Sequence, residues 1–364
     1  MRIHDIIQEL ERWAPRSWQE SYDNAGLITG DAAWDCTGVL CCLDATEAVI
    51  EEAIQRGCNL VVAHHPIVFG GIKRIDPRHY VGRALIRSIR YDVAIYAIHT
   101  NLDNLLEGVN GAMADRLGLL NRSVLMPKSQ QLKKLNTYVP AAHVDAVANA
   151  LFAAGAGHIG RYDQCSFRQV GEGSFRALEG ASPHVGKLGV QHREPEWKLE
   201  VLYPATLESS LLAALRSAHP YEEVAYDLVA LSNTHPSIGS GLIGELPEAL
   251  PEEEFLGRIK SIFGVVSLRH TATIGRAIRR VALCGGAGSF LISNSLDQSA
   301  DAFLTADLKY HEFFEADNRL LLVDLGHYES EQYTIDLLQA FLAEKFPTFA
   351  ILKTGLITNP VRYR

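Results

Sequence analysis

Residues 59–69 read NLVVAHHPIVF, an apolar and largely β-branched run that ends in two adjacent histidines and a proline. Two other apolar runs end in the same chemistry. In YDVAIYAIHTNLDN (91–104) His99 is followed four residues on by Asp103, and in RLLLVDLGHYESE (319–331) His327 is followed four residues on by Glu331. Neighbours on an extended strand point to opposite sides, so His64 and His65 cannot easily grip one ion together. At a strand end each can reach a different ion, and the pair makes sense if two cations lie roughly 3.5–4 Å apart, as in two-metal hydrolases. Pro66 restricts His65 to extended shapes. A helix starting near 327 would put His327 and Glu331 on one face, and Glu331, reached from a rigid helix, is the candidate bridge. Imidazole and carboxylate without thiolate suit Zn, Fe, Mn or Co. One histidine at a strand end would be an ordinary polar terminus; three strand ends of this kind favour a metal site.

These groups need a scaffold. GVLCCLD (38–44) is a candidate buried strand, ATEAVIEEAIQRG an amphipathic helix with a glycine stop, and NLVVAHH the next strand. Strand–helix–strand implies parallel pairing with a right-handed crossover, and ligands of such sheets sit beyond the carboxyl ends of the strands. Asp44 and Glu47 suggest a capping arrangement at that helix, with support of a metal ligand as the alternative for Asp44. The last third repeats the grammar: strands at RRVALC, ADAFLTAD, RLLLVDLG and TFAILKT, with helices at LKYHEFFEAD and HYESEQYTIDLLQAFLAEKF. The similar spacing suggests two related halves. Between them the order is strand LNTYVP, helix VDAVANALFAAG, strand CSFRQV with a hairpin through GEGSF, strand KLEVLYP, helix ESSLLAALRSAH and strand VAYDLVAL. That βαββαβ order is ferredoxin-like. The expectation is an α/β domain in two pieces, 1–127 and 236–364, with a small domain, 128–235, inserted through it.

Further residues carry weighed readings. Asp307 and His311 are candidates for supporting the metal ligands or moving protons, against an N-cap and a surface histidine. His99 is a candidate for similar support or for substrate contact. Asp23 and Asn24, in DNAGL, are candidate site-mouth residues or a plain turn. The glycine turn GGAGS (285–289) could cradle an anion with backbone N–H groups, but it lacks the GK[ST] of a P-loop.

Composition narrows the class. The chain has 364 residues, enough for about two domains, with 47% hydrophobic and 21% charged residues. A net charge of −9 without a dense Lys/Arg run disfavours a nucleic-acid surface. MRIHDIIQELERW reads as an amphipathic helix rather than a signal peptide, and no apolar run is long enough to span a membrane. Six cysteines without a CxxC pair suggest reduced thiols and a cytoplasmic protein; Cys41, Cys42, Cys58 and Cys284 read as small core residues.

VVAHHP, YAIHTNLDN, LTADLKYH, LGHYESE and, near the start, SWQESYDNAGLITGD resemble the signature motifs of the Nif-three-like dinuclear-metal-centre family, often named GTP cyclohydrolase 1 type 2. The resemblance covers essentially the whole chain, with no departure at the expected ligand positions. The middle segment, through HPYEEVAYDL, is similar to longer members with a PII/CutA-like insert. The resemblance implies two divalent metal ions: His64 and Asp103 on one, His65 and His327 on the other, Glu331 bridging. It also implies a toroidal homohexamer with the sites facing an internal cavity, and hydrolysis of GTP with opening of the guanine imidazole ring. The residues alone say only hydrolysis at a dinuclear site; a small-molecule substrate of nucleotide type is what the resemblance implies. The rival is a non-catalytic metal-binding regulatory or scaffold protein with an effector-sensing insert.

Overall fold

The computed structural model describes residues 1–363. Contacts divide the chain into two compact units, one of residues 1–127 and 236–364 and one of residues 128–235. Following the chain, strands β1 (Gly26–Thr29), β2 (Val39–Asp44), β3 (Leu60–His65) and β4 (Ala94–Ala97) belong to the first unit, as does β5 (Leu120–Pro127). The second unit holds β6 (Leu132–Pro140), β7 (Ser166–Arg176), β8 (Gln191–Pro204) and β9 (Tyr226–Ala230). The chain then returns to the first unit as β10 (Gly239–Leu250), β11 (Arg269–His270), β12 (Ile278–Ala287), β13 (Ala302–Ala306), β14 (Leu321–Asp324) and β15 (Ile351–Lys353).

The first unit is a mixed α/β structure with two sheets, of order β1-β4-β3-β2-β15 and β11-β14-β13-β12-β10-β5. Each contains a parallel triple, β2-β3-β4 in one and β12-β13-β14 in the other. Each triple carries an antiparallel edge strand beside its last member, β1 on β4 and β11 on β14. The parallel strands are apolar along their length because both faces are covered: Leu40 to Cys42, Val61 to Ala63 and Leu321 to Val323 are all buried. The first helix, Ile3–Trp13, buries Ile3, Ile6, Ile7 and Leu10, the stripe that helical spacing demands. Phe255, Ile259 and Phe263, from helix Glu252–Phe263, pack with Leu242, Val281 and Leu304 of the second sheet. Burying each such side chain stabilises the fold by about 1.5–3 kcal/mol.

Three local expectations are corrected. Thr46, not Asp44, caps helix Glu47–Gln55, its hydroxyl accepting from the Val49 N–H. Asp44 is turned toward His65 instead. The segment after β13 forms a 3-10 helix, Tyr310–Ala316, rather than an α-helix. The expected long helix from 327 is broken into His327–Glu331 and Thr334–Lys345.

In the second unit the strands lie in the order β7-β8-β6-β9 with every pairing antiparallel. Leu135, Val139, Leu199, Val201 and Tyr203 meet Val147 and Leu151 of helix Val144–Ala153 and Leu211 and Leu215 of helix Glu208–Ala218. GEGSF is not the hairpin turn: β7 runs through it to Arg176, and the chain turns between 177 and 190. The glycines serve the pairing rather than a turn, since a Cβ on Gly173 would lie 2.1 Å from the Glu196 carboxylate.

Candidate metal centre

β3 delivers His64 and His65 side by side, with their ring centroids 4.8 Å apart. His64 is wholly buried, and its Nδ1–H donates to the Ile98 carbonyl at 2.9 Å. That bond fixes the tautomer and leaves Nε2 as a bare lone pair. This atom has no hydrogen-bond partner although it is buried. It lies 3.5 Å from Asp103 Oδ1 and 3.9 Å from Glu331 Oε1. Asp103 Oδ1 is likewise buried without a partner. Two orphaned buried acceptors facing one another are costly unless something electropositive lies between them. Burial pushes the His64 imidazole down to about 4, so it is a neutral ligand at ordinary pH. Burial and the Glu331 charge push the Asp103 carboxyl well above its usual range.

The opposite side of the cluster is built differently. His65 Nδ1 donates to Asp44 Oδ1 at 2.8 Å, and His65 Nε2 lies 2.9 Å from Glu331 Oε2. His327 Nδ1 donates to Asp307 Oδ2 at 2.7 Å, and its Nε2 lies 3.1 Å from the same Glu331 oxygen. Burial works against charge on both rings, but the surrounding carboxylates outweigh it and raise both. Carboxylate–imidazole pairs of this kind orient metal-binding histidines and raise their basicity. Glu331 is buried, and the imidazoles hold it well below the usual carboxylate range against the cost of burial.

Three ligand-atom groups lie close enough together to hold an ion: His64 with Asp103 and Glu331, His65 with His327 and Glu331, and His64 with His65 and His99. The donor set fits a cation, because the ligand atoms of each group lie within 4.8 Å of one another and two of them, His64 Nε2 and Asp103 Oδ1, are buried without a partner. Glu331 belongs to two of the groups through different oxygens.

The remaining candidates are placed as follows. His99 edges both His64 and His65, at 5.3 and 5.4 Å between ring centroids. Its Nδ1 pairs with Asp23 Oδ1 at 2.7 Å, and Thr100 donates to the other Asp23 oxygen. Despite burial, these bonds hold the Asp23 carboxyl at about 2, a fixed negative charge behind His99. Asn24 points elsewhere and donates to the Val68 carbonyl. Asp307 holds His327. His311 is not brought to the cluster: it is exposed, with its ring against Tyr310 and Phe314. Asp307 has φ +57°, so the backbone turns there and the helical spacing that would align residues 307 and 311 is lost. For Asp44 the structure takes the alternative reading, support of His65, over the helix cap that its position also suggested.

The expected glycine turn at 285–289 is largely the end of β12, and its glycines have another role. The Gly285 N–H donates to Asn110 Oδ1 and the Gly286 N–H to Ser330 Oγ, so neither is left for an anion. Gly286 has φ +63°, and a Cβ there would lie 2.4 Å from Glu331 Oε1. Only glycine lets the backbone pass this close to the carboxylate. A cavity of about 390 Å³ opens over the cluster, bordered by His65, His99, Asp103, His327 and Glu331. A second, of about 410 Å³, shares His65 and His327 and reaches Asp44 and Asp307.

Fold and site together define a mixed α/β protein whose strand ends converge on a histidine–carboxylate cluster able to hold metal. The chain belongs to the Duf34/NIF3 (NGG1p interacting factor 3) family, whose model matches residues 1–360. It is 38% identical over 363 residues to a Halalkalibacterium halodurans protein named GTP cyclohydrolase 1 type 2 homolog, covering 98% of each chain. It is 37% identical over 325 residues to a Bacillus subtilis protein of the same name, covering 89% of this chain and 87% of that one. Among solved structures, a Bacillus cereus protein related to NIF3 superposes with TM-score 0.88 at 35% identity, covering 100% of this chain and 99% of that one. No described helix is long and apolar enough to cross a membrane.

Proposed function

We propose that this chain is a metal-dependent hydrolase acting on a small nucleotide-like substrate. His64 and Asp103 would hold one divalent cation, His65 and His327 a second, and Glu331 would bridge them. The observation that carries this reading is the division of Glu331, with Oε2 on the His65–His327 side and Oε1 toward His64. Zn, Fe, Mn and Co all suit such donors. Bound cations would supply an acidified water and polarisation of an electrophilic carbon or phosphorus.

The chain's own residues do the rest. Asp44 and Asp307 fix the Nδ1–H tautomers of His65 and His327, so that both Nε2 lone pairs face inward. Asp23 fixes the Nδ1–H tautomer of His99 in the same way, which leaves Nε2 as the atom that would take up and return a proton. Asp307 is therefore a positioning residue, and His99 is the candidate proton carrier.

The second unit is read as a ferredoxin-like, PII/CutA-like module, supported by its antiparallel strand order with two helices against one core. It motivates the rival reading, a metal-binding regulator whose insert senses an effector. The family resemblance adds a toroidal hexamer, to be checked by sedimentation. The deciding experiment is elemental analysis of purified protein beside turnover of a nucleotide panel. Two ions per chain and metal-dependent hydrolysis are expected; wild-type turnover in metal-free protein would overturn the mechanism, and metal without turnover on any nucleotide would favour the regulator.

A further inference from the structure

After β15 the chain runs on through residues 354–363 as neither helix nor strand. The Thr354 N–H donates to the Cys41 carbonyl of β2, and the Gly355 N–H donates to Glu52 of helix Glu47–Gln55. Beyond that anchor, apolar burial does not hold the segment: Ile357 is 74% exposed and Val361 53%. Large apolar side chains left in solvent add little hydrophobic stabilisation to docking. What remains to fix the segment is a set of polar contacts.

Those contacts converge on the supports of one half of the metal cluster. The Thr358 hydroxyl donates to Asp44 Oδ2 at 2.5 Å, while Asp44 Oδ1 accepts from His65 Nδ1. Both oxygens of the carboxylate that orients His65 are thus engaged, and one of them by this segment. Asn359 is buried and donates from Nδ2 to Glu329 Oε1 at 2.8 Å. Glu329 stands on the short helix His327–Glu331, which carries two candidate ligands. Asn359 Oδ1 accepts from the Val361 N–H, which fixes the orientation of the amide. Tyr363 closes on the residue before that helix: Gly326 has φ +91°, and a Cβ there would lie 2.9 Å from the Tyr363 hydroxyl oxygen. The second cavity is lined by both parties, Asp44, His65 and His327 together with Asn359, Pro360 and Tyr363. His64, by contrast, takes its orientation from the Ile98 carbonyl.

We infer, resting on the metal-centre reading, that 354–363 is a strap that positions the His65–His327 half of the centre, with Thr358 and Asn359 as its positioning residues. The Thr358 hydroxyl holds the Asp44 carboxylate so that its other oxygen stays aimed at His65 Nδ1–H, and the Asn359 amide holds the helix of His327 and Glu331 through Glu329. Partners behind a ligand tune its metal affinity in this way. The coupling is reciprocal: a docked strap that tightens the ion is itself tightened by the ion, by the same factor. A segment held by a few exposed hydrogen bonds opens at low cost, so this half of the centre can loosen without unfolding a sheet.

The test is zinc titration of the metal-stripped full-length protein against a competing chelator, with amide hydrogen exchange of 355–363 followed by mass spectrometry with and without zinc. The wild type should bind in two steps. Thr358→Val keeps the shape and loses the donor; it should weaken one step by about three- to tenfold, short of the about 10–100-fold expected for a group bonded directly to a ligand, and leave the other step unchanged. Thr358→Ser should restore wild-type affinity, and Asn359→Ala should weaken the same step as Thr358→Val. Zinc should slow exchange of 355–363 in the wild type and do so less in Thr358→Val. Affinities unchanged in both Thr358→Val and Asn359→Ala, equal weakening of both steps, or wild-type exchange of 355–363 indifferent to zinc would each overturn the strap while leaving the metal centre standing. A single zinc step, weakened by Thr358→Val and restored by Thr358→Ser, would support the strap and overturn the two-ion reading. A wild type that binds no zinc would overturn both.

Discussion

The Nε2 atoms of His65 and His327 face one another at 3.3 Å. Each ring gives its Nδ1–H to a carboxylate, Asp44 for His65 and Asp307 for His327. Two lone pairs at this separation repel unless a proton or a cation sits between them and Glu331. Residues 262 positions apart in sequence are thus held as a preformed pair of candidate ligands.

Glu331→Ala should remove both ions, because it takes an oxygen from each side of the cluster. Metal content by elemental analysis should fall to background and metal-dependent turnover should vanish. His64 and Asp103 would retain metal if Glu331 were not shared, and retention of a full complement would contradict the bridge.

Asp307→Asn should act on one side only. It removes the acceptor charge behind His327 and leaves His64 and Asp103 untouched. Metal affinity on the His327 side should drop by about 10–100-fold, seen as one weakened step in a chelator-competition titration. Asp44→Asn should weaken the same step through His65.

Gly286→Ala tests why the glycine turn exists. The added Cβ meets Glu331 Oε1, and the left-handed backbone adds a cost of about 1–2 kcal/mol. Metal binding should weaken while far-UV circular dichroism stays that of the parent. Loss of phosphate binding with metal binding intact would restore the anion-cradle reading.

His219 gives the second unit a pH dependence. It is buried, and its Nε2–H donates to the Tyr138 carbonyl. Burial lowers its pKa below the ordinary 6.5. The unfolded chain therefore takes up this proton first, and stability present above about pH 6.5 is lost as pH falls toward the lowered folded value. The protection factors of β6 and β8 amides against hydrogen exchange should fall over that range, and His219→Gln should flatten the profile. Stability that rises as pH falls through this window would reverse the assignment.

The candidate metal-binding residues were legible in the sequence because they lie at the ends of apolar runs, where parallel strands present side chains to a common crevice. Spacing and chemistry named His64, His65, His99, Asp103, His327 and Glu331 as candidates, and the family resemblance implied which of them would be ligands. The α/β alternation was legible for the same reason, since buried parallel strands and amphipathic helices leave different periodicities. Other features belong to the tertiary structure. Whether Asp44 caps a helix or holds His65 depends on β2 lying beside β3, and local sequence offers both options. The removal of His311 from the cluster follows from one backbone dihedral at Asp307. The use of Gly286 as clearance for Glu331 depends on a contact between residues 45 positions apart. Spacing along the chain names the groups that can bind, but which lone pair faces which partner is a matter of packing, and only the assembled sheets decide it.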